Sequence, residues 1–307
     1  MKRIFVSILI LMQLPLIMNA KHPETEGFID MKGARIYYKS VGEGEPMLVL
    51  HGGPGLSHDY FLPHMNMLAD KFRLIYIDQR GCGKSVKNAN PSMISLDHMV
   101  DDIDSIRSYF GYEKINILAH SFGALSAMRY AIKYPERIIT LNLITPSPAD
   151  SKWIEKNNDM LRRKQSPELS EKLRTIAATE NFKNKNPETL LEFWRLQFKT
   201  SFHDPDKTDQ LNFYFSPDYK ESSKLMKELY KDSTVLSYNL NPELSILKIP
   251  VLIIGAESDV IHPEALEELH RTFKNSEYIL IEGSGHFPFI EQPQAFRKAI
   301  LHFRRKL

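Results

Sequence analysis

INILAHSFGALSAMRYAIKY, residues 115–134, decides the fold. "INILAH" is a short, mostly apolar run of the kind that forms a buried strand. The stretch from about Phe122 to Tyr134 reads as a helix. Ser121 stands at the junction, with Ala119 and Gly123 two positions to either side. A strand that turns directly into a helix is strained and brings two backbones together, so small flanking residues fit such a turn.

The alternation continues on both sides. "GFIDMKGARIYYKSVG" (27–42) reads as a hairpin turning near Lys32-Gly33. "MLVLH" (47–51) and "RLIYID" (73–78) are short strands. A helix is predicted from Leu96 to about Phe110, with Ser95 as its N-cap and Gly111 just past its end. Strand "IITLNLI" (138–144) follows the Ser121 helix. Later come "VLIIG" (251–255), a helix opening at Pro263, strand "EYILIE" (277–282) and a last helix opening near Pro293. Apolar runs alternating with helices predict an α/β fold, with a mostly parallel central sheet flanked by helices.

Residues 148–239 break the pattern. They are charged, helical in character and cut by Pro167, Pro187, Pro205 and Pro217. This stretch is expected to be an inserted helical cap, dividing the core into 21–147 and 240–307. Residues 1–20 begin with Lys2 and Arg3, run apolar from Ile4 to Met18 and end in Asn19-Ala20. That is the layout of a signal peptide, so export to the periplasm or medium is expected. An uncleaved N-terminal membrane anchor is the alternative; after cleavage no stable membrane span is expected.

The chain has 307 residues, 42% of them hydrophobic, enough for a full core. A net charge of +2 gives no case for nucleic acid. The single cysteine, Cys82, excludes an internal disulfide and a cysteine metal cage. Cys82 is expected to be a buried small residue, and Arg80 a structural one.

A serine at a strand-to-helix turn between small residues matches a nucleophile elbow. Such a serine needs a base, and the base an orienting carboxylate. Asp259 lies just beyond "VLIIG", and His286 lies in the glycine-rich loop "GSGHFPF" beyond the next strand. The order Ser121, Asp259, His286 is the order this architecture uses. "HGGPG" (51–55) supplies glycines whose backbone can approach a substrate. Gly53 and Phe122 are the expected oxyanion N–H donors. His51, Gly52 and Pro54 are expected beside the substrate, with His51 orienting the loop.

With "HGGPG", "DQRGCGKS" (78–85), the Ser121 elbow, Asp259 and His286 in place, the chain resembles the α/β-hydrolase fold and, within it, the proline iminopeptidases. The resemblance implies a serine hydrolase with a helical cap and no cofactor, releasing N-terminal proline from short peptides. Two departures stand against the peptidase pattern. The elbow reads Ala-His-Ser rather than Gly-Gly-Ser, closer to esterase and small-molecule hydrolase branches. The acidic cap residues that would hold a substrate ammonium are matched only by Glu192, which otherwise reads as a solvated helix face, with Glu243 near a second position. An esterase, a lactonase or a carbon–carbon bond hydrolase with the same triad is the alternative. A non-catalytic binding protein on the same fold is the remote one.

Overall fold

The structure, a computed structural model, describes residues 22–306; the leader read in residues 1–20 lies outside them. Strands β1 (Glu24–Met31) and β2 (Ala34–Val41) form the expected hairpin. Met31 pairs with Ala34, leaving Lys32 and Gly33 in the turn, where Gly33 adopts φ +69°. The remaining strands are β3 (Glu45–Leu50), β4 (Phe72–Ile77), β5 (Ile115–His120), β6 (Ile138–Ile144), β7 (Val251–Ala256) and β8 (Ser276–Ile281). All eight form one sheet in the order β1-β2-β4-β3-β5-β6-β7-β8. β1 and β2 pair antiparallel, as do β2 and β4; every later pair is parallel. The strand order reverses between β3 and β5. A crevice opens at the carboxyl ends of strands at such a point.

The central strands read as continuous apolar runs because both faces are covered. Leu48, Leu50, Ile117, Leu143 and Ile253 enter one core. Their neighbours Met47, Val49, Leu118, Ile144 and Ile254 enter the other. Helices α1 (Leu96–Tyr109) and α2 (Gly123–Lys133) pack on the first face. α1 starts where expected: Ser95 Oγ accepts from His98 N, and Gly111 follows its end at φ +74°.

Between β6 and β7 the chain runs through α3 (Trp153–Lys164), α4 (Pro167–Ala178), α5 (Glu180–Lys183), α6 (Pro187–Phe198), α7 (Tyr219–Leu229) and α8 (Ser233–Leu236). The prolines do not break these helices. Pro167 and Pro187 open α4 and α6 behind capping Ser166 and Asn186, where a missing N–H does no harm. The excursion's two ends meet: Asp150 and Asn239 form an antiparallel bridge, with Ser151 N donating to Tyr238 O at 2.9 Å and Leu240 N to Ala149 O at 2.8 Å.

The chain then passes α9 (Asn241–Leu244), α10 (Pro263–Thr272), α11 (Pro288–Glu291) and α12 (Pro293–Arg305). α12 covers the second face of the sheet together with two 3₁₀ turns, His58–Phe61 and His64–Leu68. Among the described residues no helix is long and apolar enough to cross a membrane.

Candidate active site

Ser121 occupies the turn between β5 and α2 at φ +53°, a region L-residues rarely enter. Its N–H donates to Ile144 O at 3.1 Å, and its C=O accepts from Ser147 N and Ala124 N, each at 3.0 Å. The turn is crowded. A Cβ on Gly52 would sit 2.7 Å from Ser121 Cβ, and one on Gly123 would sit 2.6 Å from His51 O. Ala119, lower on the strand, is fully buried and its methyl is accommodated.

Asp259 and His286 come from the loops after β7 and β8. His286 Nδ1 lies 2.8 Å from Asp259 Oδ1, and both residues are buried. Val260 N donates to the same Asp259 oxygen at 2.6 Å. The His286 backbone is fixed at both ends. Its N–H donates to Ser201 O at 2.6 Å, and its C=O accepts from His120 Nε2 at 2.8 Å and Thr145 Oγ1 at 3.0 Å. Gly285 is required beside it, since any side chain there would collide with Ser201 O. The buried carboxylate of Glu291 accepts from Gly285 N at 2.6 Å, Asp204 N at 2.8 Å and His203 N at 3.2 Å. Ser121 and His286 line one cavity, with no hydrogen bond between their side chains among the described residues. Such a bond is often long before substrate binds.

The "HGGPG" loop follows β3. Gly53 adopts φ +54°. Gly52 N donates to Tyr60 Oη at 2.5 Å, so Gly52 is not free to bind a substrate through that group. His51 is fully buried: Gln79 N donates to its Nε2 at 3.0 Å, and its Nδ1 lies 2.9 Å from Gly52 O. Burial lowers its pKa. These contacts correct the expectation of a substrate-binding His51; its ring holds the loop from behind. Pro54 is half-buried and, like His51, Gly52 and Gly53, is not among the residues lining the Ser121 cavity. Phe122 does line it and stands at the amino end of α2, where backbone N–H groups lack partners within the helix.

"DQRGCGKS" is a buttress. Asp78 accepts from His58 N at 2.9 Å and Lys84 N at 2.8 Å, and pairs with His58 Nδ1 at 2.7 Å. Burial works against charge on His58, but the hydrogen bond to Asp78 together with the negative charges of Asp78 and Asp59 outweighs it and raises the ring's pKa. His58, Asp59 and Asp78 place ligand-type atoms within 4.8 Å of one another, yet His58 Nδ1 already bonds the Asp78 carboxylate, which also accepts from two backbone N–H groups. Arg80 forks onto buried Asp102 at 2.6 and 2.9 Å, the structural role expected of it. Cys82 is buried against Met226, and burial pushes its thiol up to about 12.

The cavity over Ser121 measures about 320 Å³. Its apolar wall includes Phe122, Leu125, Ile154, Leu161, Val235 and Ile261; its polar groups beyond Ser121 and His286 are Ser147, Asn157, Asn158, Tyr230 and Tyr238. Among the described residues no Asp, Glu, Lys or Arg lines it. α3 faces the site: Asn157 Oδ1 accepts from His262 N at 2.8 Å, and Lys164 donates to the backbone carbonyls of Ser258 and Asp259. Glu192 is elsewhere. Its side chain is 54% exposed on α6 and 4.0 Å from Lys172 of α4, so the expectation that it binds substrate is corrected: it is a solvated helix face. Glu243, on α9, also lies outside the cavity lining.

A strained serine, a histidine–carboxylate pair and a glycine loop at the carboxyl edge of this sheet have a known setting. The α/β-hydrolase fold model matches residues 45–293, and the chain belongs to that family. Proline iminopeptidase of Clostridioides difficile (strain 630) is 26% identical over 287 residues, covering 90% of this chain and 96% of that one. The crystal structure of a proline iminopeptidase from Mycobacterium smegmatis superposes with a TM-score of 0.65 at 19% identity, covering 92% and 98% of the two chains. The 2-hydroxy-6-oxo-6-phenylhexa-2,4-dienoate hydrolase of Rhodococcus sp. strain RHA1 superposes at 0.71 with 19% identity, covering 92% and 99%. Proteins of different named activities thus share this backbone.

Sequence reasoning passed over Tyr60, His120, Thr145 and Glu291. His120 carried a signal: it is the one charged-capable residue in the strand run "INILAH". Glu291 stands alone between apolar residues and prolines in "PFIEQP".

Proposed function

We propose that this hydrolase works through an acyl-enzyme, with Ser121 as nucleophile, on substrates whose acyl group is neutral and largely apolar. Ser121 Oγ attacks the carbonyl carbon while His286 takes its proton. Asp259 fixes the ring with its Nδ1–H toward the carboxylate and stabilises the imidazolium. The N–H groups of Gly53 and Phe122 receive the oxyanion. His286 then gives its proton to the leaving group, and water, activated by the same ring, releases the acid.

The observation that carries the substrate reading is the cavity lining. Among the described residues it offers apolar surface and hydrogen-bonding groups, but no carboxylate. A substrate ammonium brought into such a space would lose its hydration without a partner. Esters and related neutral acyl compounds carry no such burden. The likeness to proline iminopeptidases supports a second reading, release of N-terminal proline from short peptides. That reading needs an anionic group from outside the lining.

Two chromogenic substrates with similar leaving groups separate the readings: a short acyl ester and a prolyl arylamide with a free amine. Ester turnover that vanishes in Ser121→Ala and is unchanged in Glu192→Gln is the expected result. Prolyl arylamide turnover exceeding that of the ester, and lost when the amine is blocked, would establish the aminopeptidase instead.

A further inference from the structure

Behind the reacting groups lies a closed set of polar contacts. Tyr60 is 1% exposed and His120 2%. Gly52 N donates to Tyr60 Oη at 2.5 Å; Tyr60 Oη lies 2.8 Å from His120 Nδ1; His120 Nε2 lies 2.8 Å from His286 O. The direction of each proton follows from valence. A backbone carbonyl only accepts, so His120 carries its proton on Nε2. Burial, with the nearby His286, holds His120 well below the usual range, so the ring is neutral and Nδ1 accepts. Tyr60 therefore donates its hydroxyl proton to His120 and accepts from Gly52.

The same glycine is gripped from its other side. His51 accepts from Gln79 N at Nε2, so its Nδ1–H donates to Gly52 O. In a trans peptide unit the C=O and the next N–H point in opposite directions. Fixing Gly52 O therefore aims the N–H of Gly53, while fixing Gly52 N anchors the peptide unit just before it.

We propose that Tyr60 and His120 are positioning residues. Their one-way relay, from Gly52 N–H through the Tyr60 hydroxyl to His120 and on to His286 C=O, holds the oxyanion loop and the general-base loop in register. The proposal rests on the roles given above to Gly53 and His286. Tyr60 and His120 touch no substrate; they act on the two loops that do.

Tyr60→Phe keeps the ring among Phe61, Phe287 and Phe289 and removes only the hydroxyl. Displacing one oxyanion donor by a fraction of an ångström is expected to lower kcat about 10- to 100-fold. KM should stay within about twofold, because the cavity wall is unchanged. Phenylboronic acid, whose tetrahedral serine adduct presents an oxygen to the same donors, should lose affinity by the factor lost in kcat/KM. His120→Gln provides the same comparison should Tyr60→Phe fail to fold. A folded variant with unchanged kcat, or with reduced kcat and unchanged boronate affinity, would overturn the relay. Labelling of wild-type chain by a fluorophosphonate, absent in Ser121→Ala, tests the underlying reading separately. A wild-type chain that takes no label would withdraw both.

Discussion

At Gly123 a methyl group would lie 2.6 Å from the carbonyl oxygen of His51 and 2.8 Å from that of Leu50. Both are backbone atoms at the end of a central strand and cannot swing aside. Gly123→Ala should therefore destabilise the fold by about 1–3 kcal/mol. It should also lower turnover, since the atoms displaced belong to the "HGGPG" loop. Urea unfolding alongside kcat checks both; a chain of unchanged midpoint would contradict the close approach. At this scale the sequence is uneven evidence. Ser121, Asp259 and His286 were legible because chain order and strand ends mark them. His51 was legible as the residue that orients its loop, but its burial away from substrate was not, and Glu192 stood open between a substrate carboxylate and a solvated face. Burial of His51 depends on Gln79, twenty-eight positions on, and the outward face of Glu192 depends on α4. Neither partner is visible in the local motif.

Strand ends and helix starts follow local chemistry, so the β1–β2 hairpin, α1 with its Ser95 cap, and the helices opening at Pro263 and Pro293 could be read directly. The 3₁₀ turns over His58–Leu68 and the four-residue α11 could not, because segments this short carry no periodicity. Yet α11 supplies Glu291, which ties three backbone N–H groups from two separate segments. Glu291→Ala would leave the buried Gly285 N–H without a partner and turn the N–H groups of exposed His203 and Asp204 over to water. A fall in unfolding free energy of about 1–3 kcal/mol is expected, smaller for Glu291→Gln, which retains one acceptor oxygen. The same variant should lose activity before it unfolds, since Gly285 adjoins His286. A stability equal to wild type would assign the carboxylate no such role.

Across the whole molecule, buried histidines make stability depend on pH. His120 and His51 are both held below the usual value of about 6.5, chiefly by burial. Folded, they refuse protons that the unfolded chain binds below that pH. Their contribution is complete above about pH 6.5 and is lost as pH falls. His58 acts in the opposite sense: raised by Asp78, it contributes below about pH 6.5 and its contribution fades as pH rises through the raised value. Two lowered rings against one raised place the steeper loss on the acid side. Denaturant midpoints should drop between pH 7.5 and pH 5.5, and drop less in His120→Gln. Equal midpoints at the two pH values would refute this.

The bridge between Asp150 and Asn239 has a consequence for how this chain could change over time. Its two strands of backbone leave and rejoin the body side by side, although Ser151 and Tyr238 stand 87 positions apart. The entropy of closing a loop grows only with the logarithm of its length. Changes of length within the excursion therefore cost the sheet's pairing little, provided that Ser201–Asp204, which hold the His286 loop, are kept. The lineage is free to vary the cavity wall carried by α3 and α8, but not the Ser201–Asp204 segment on which the His286 loop rests.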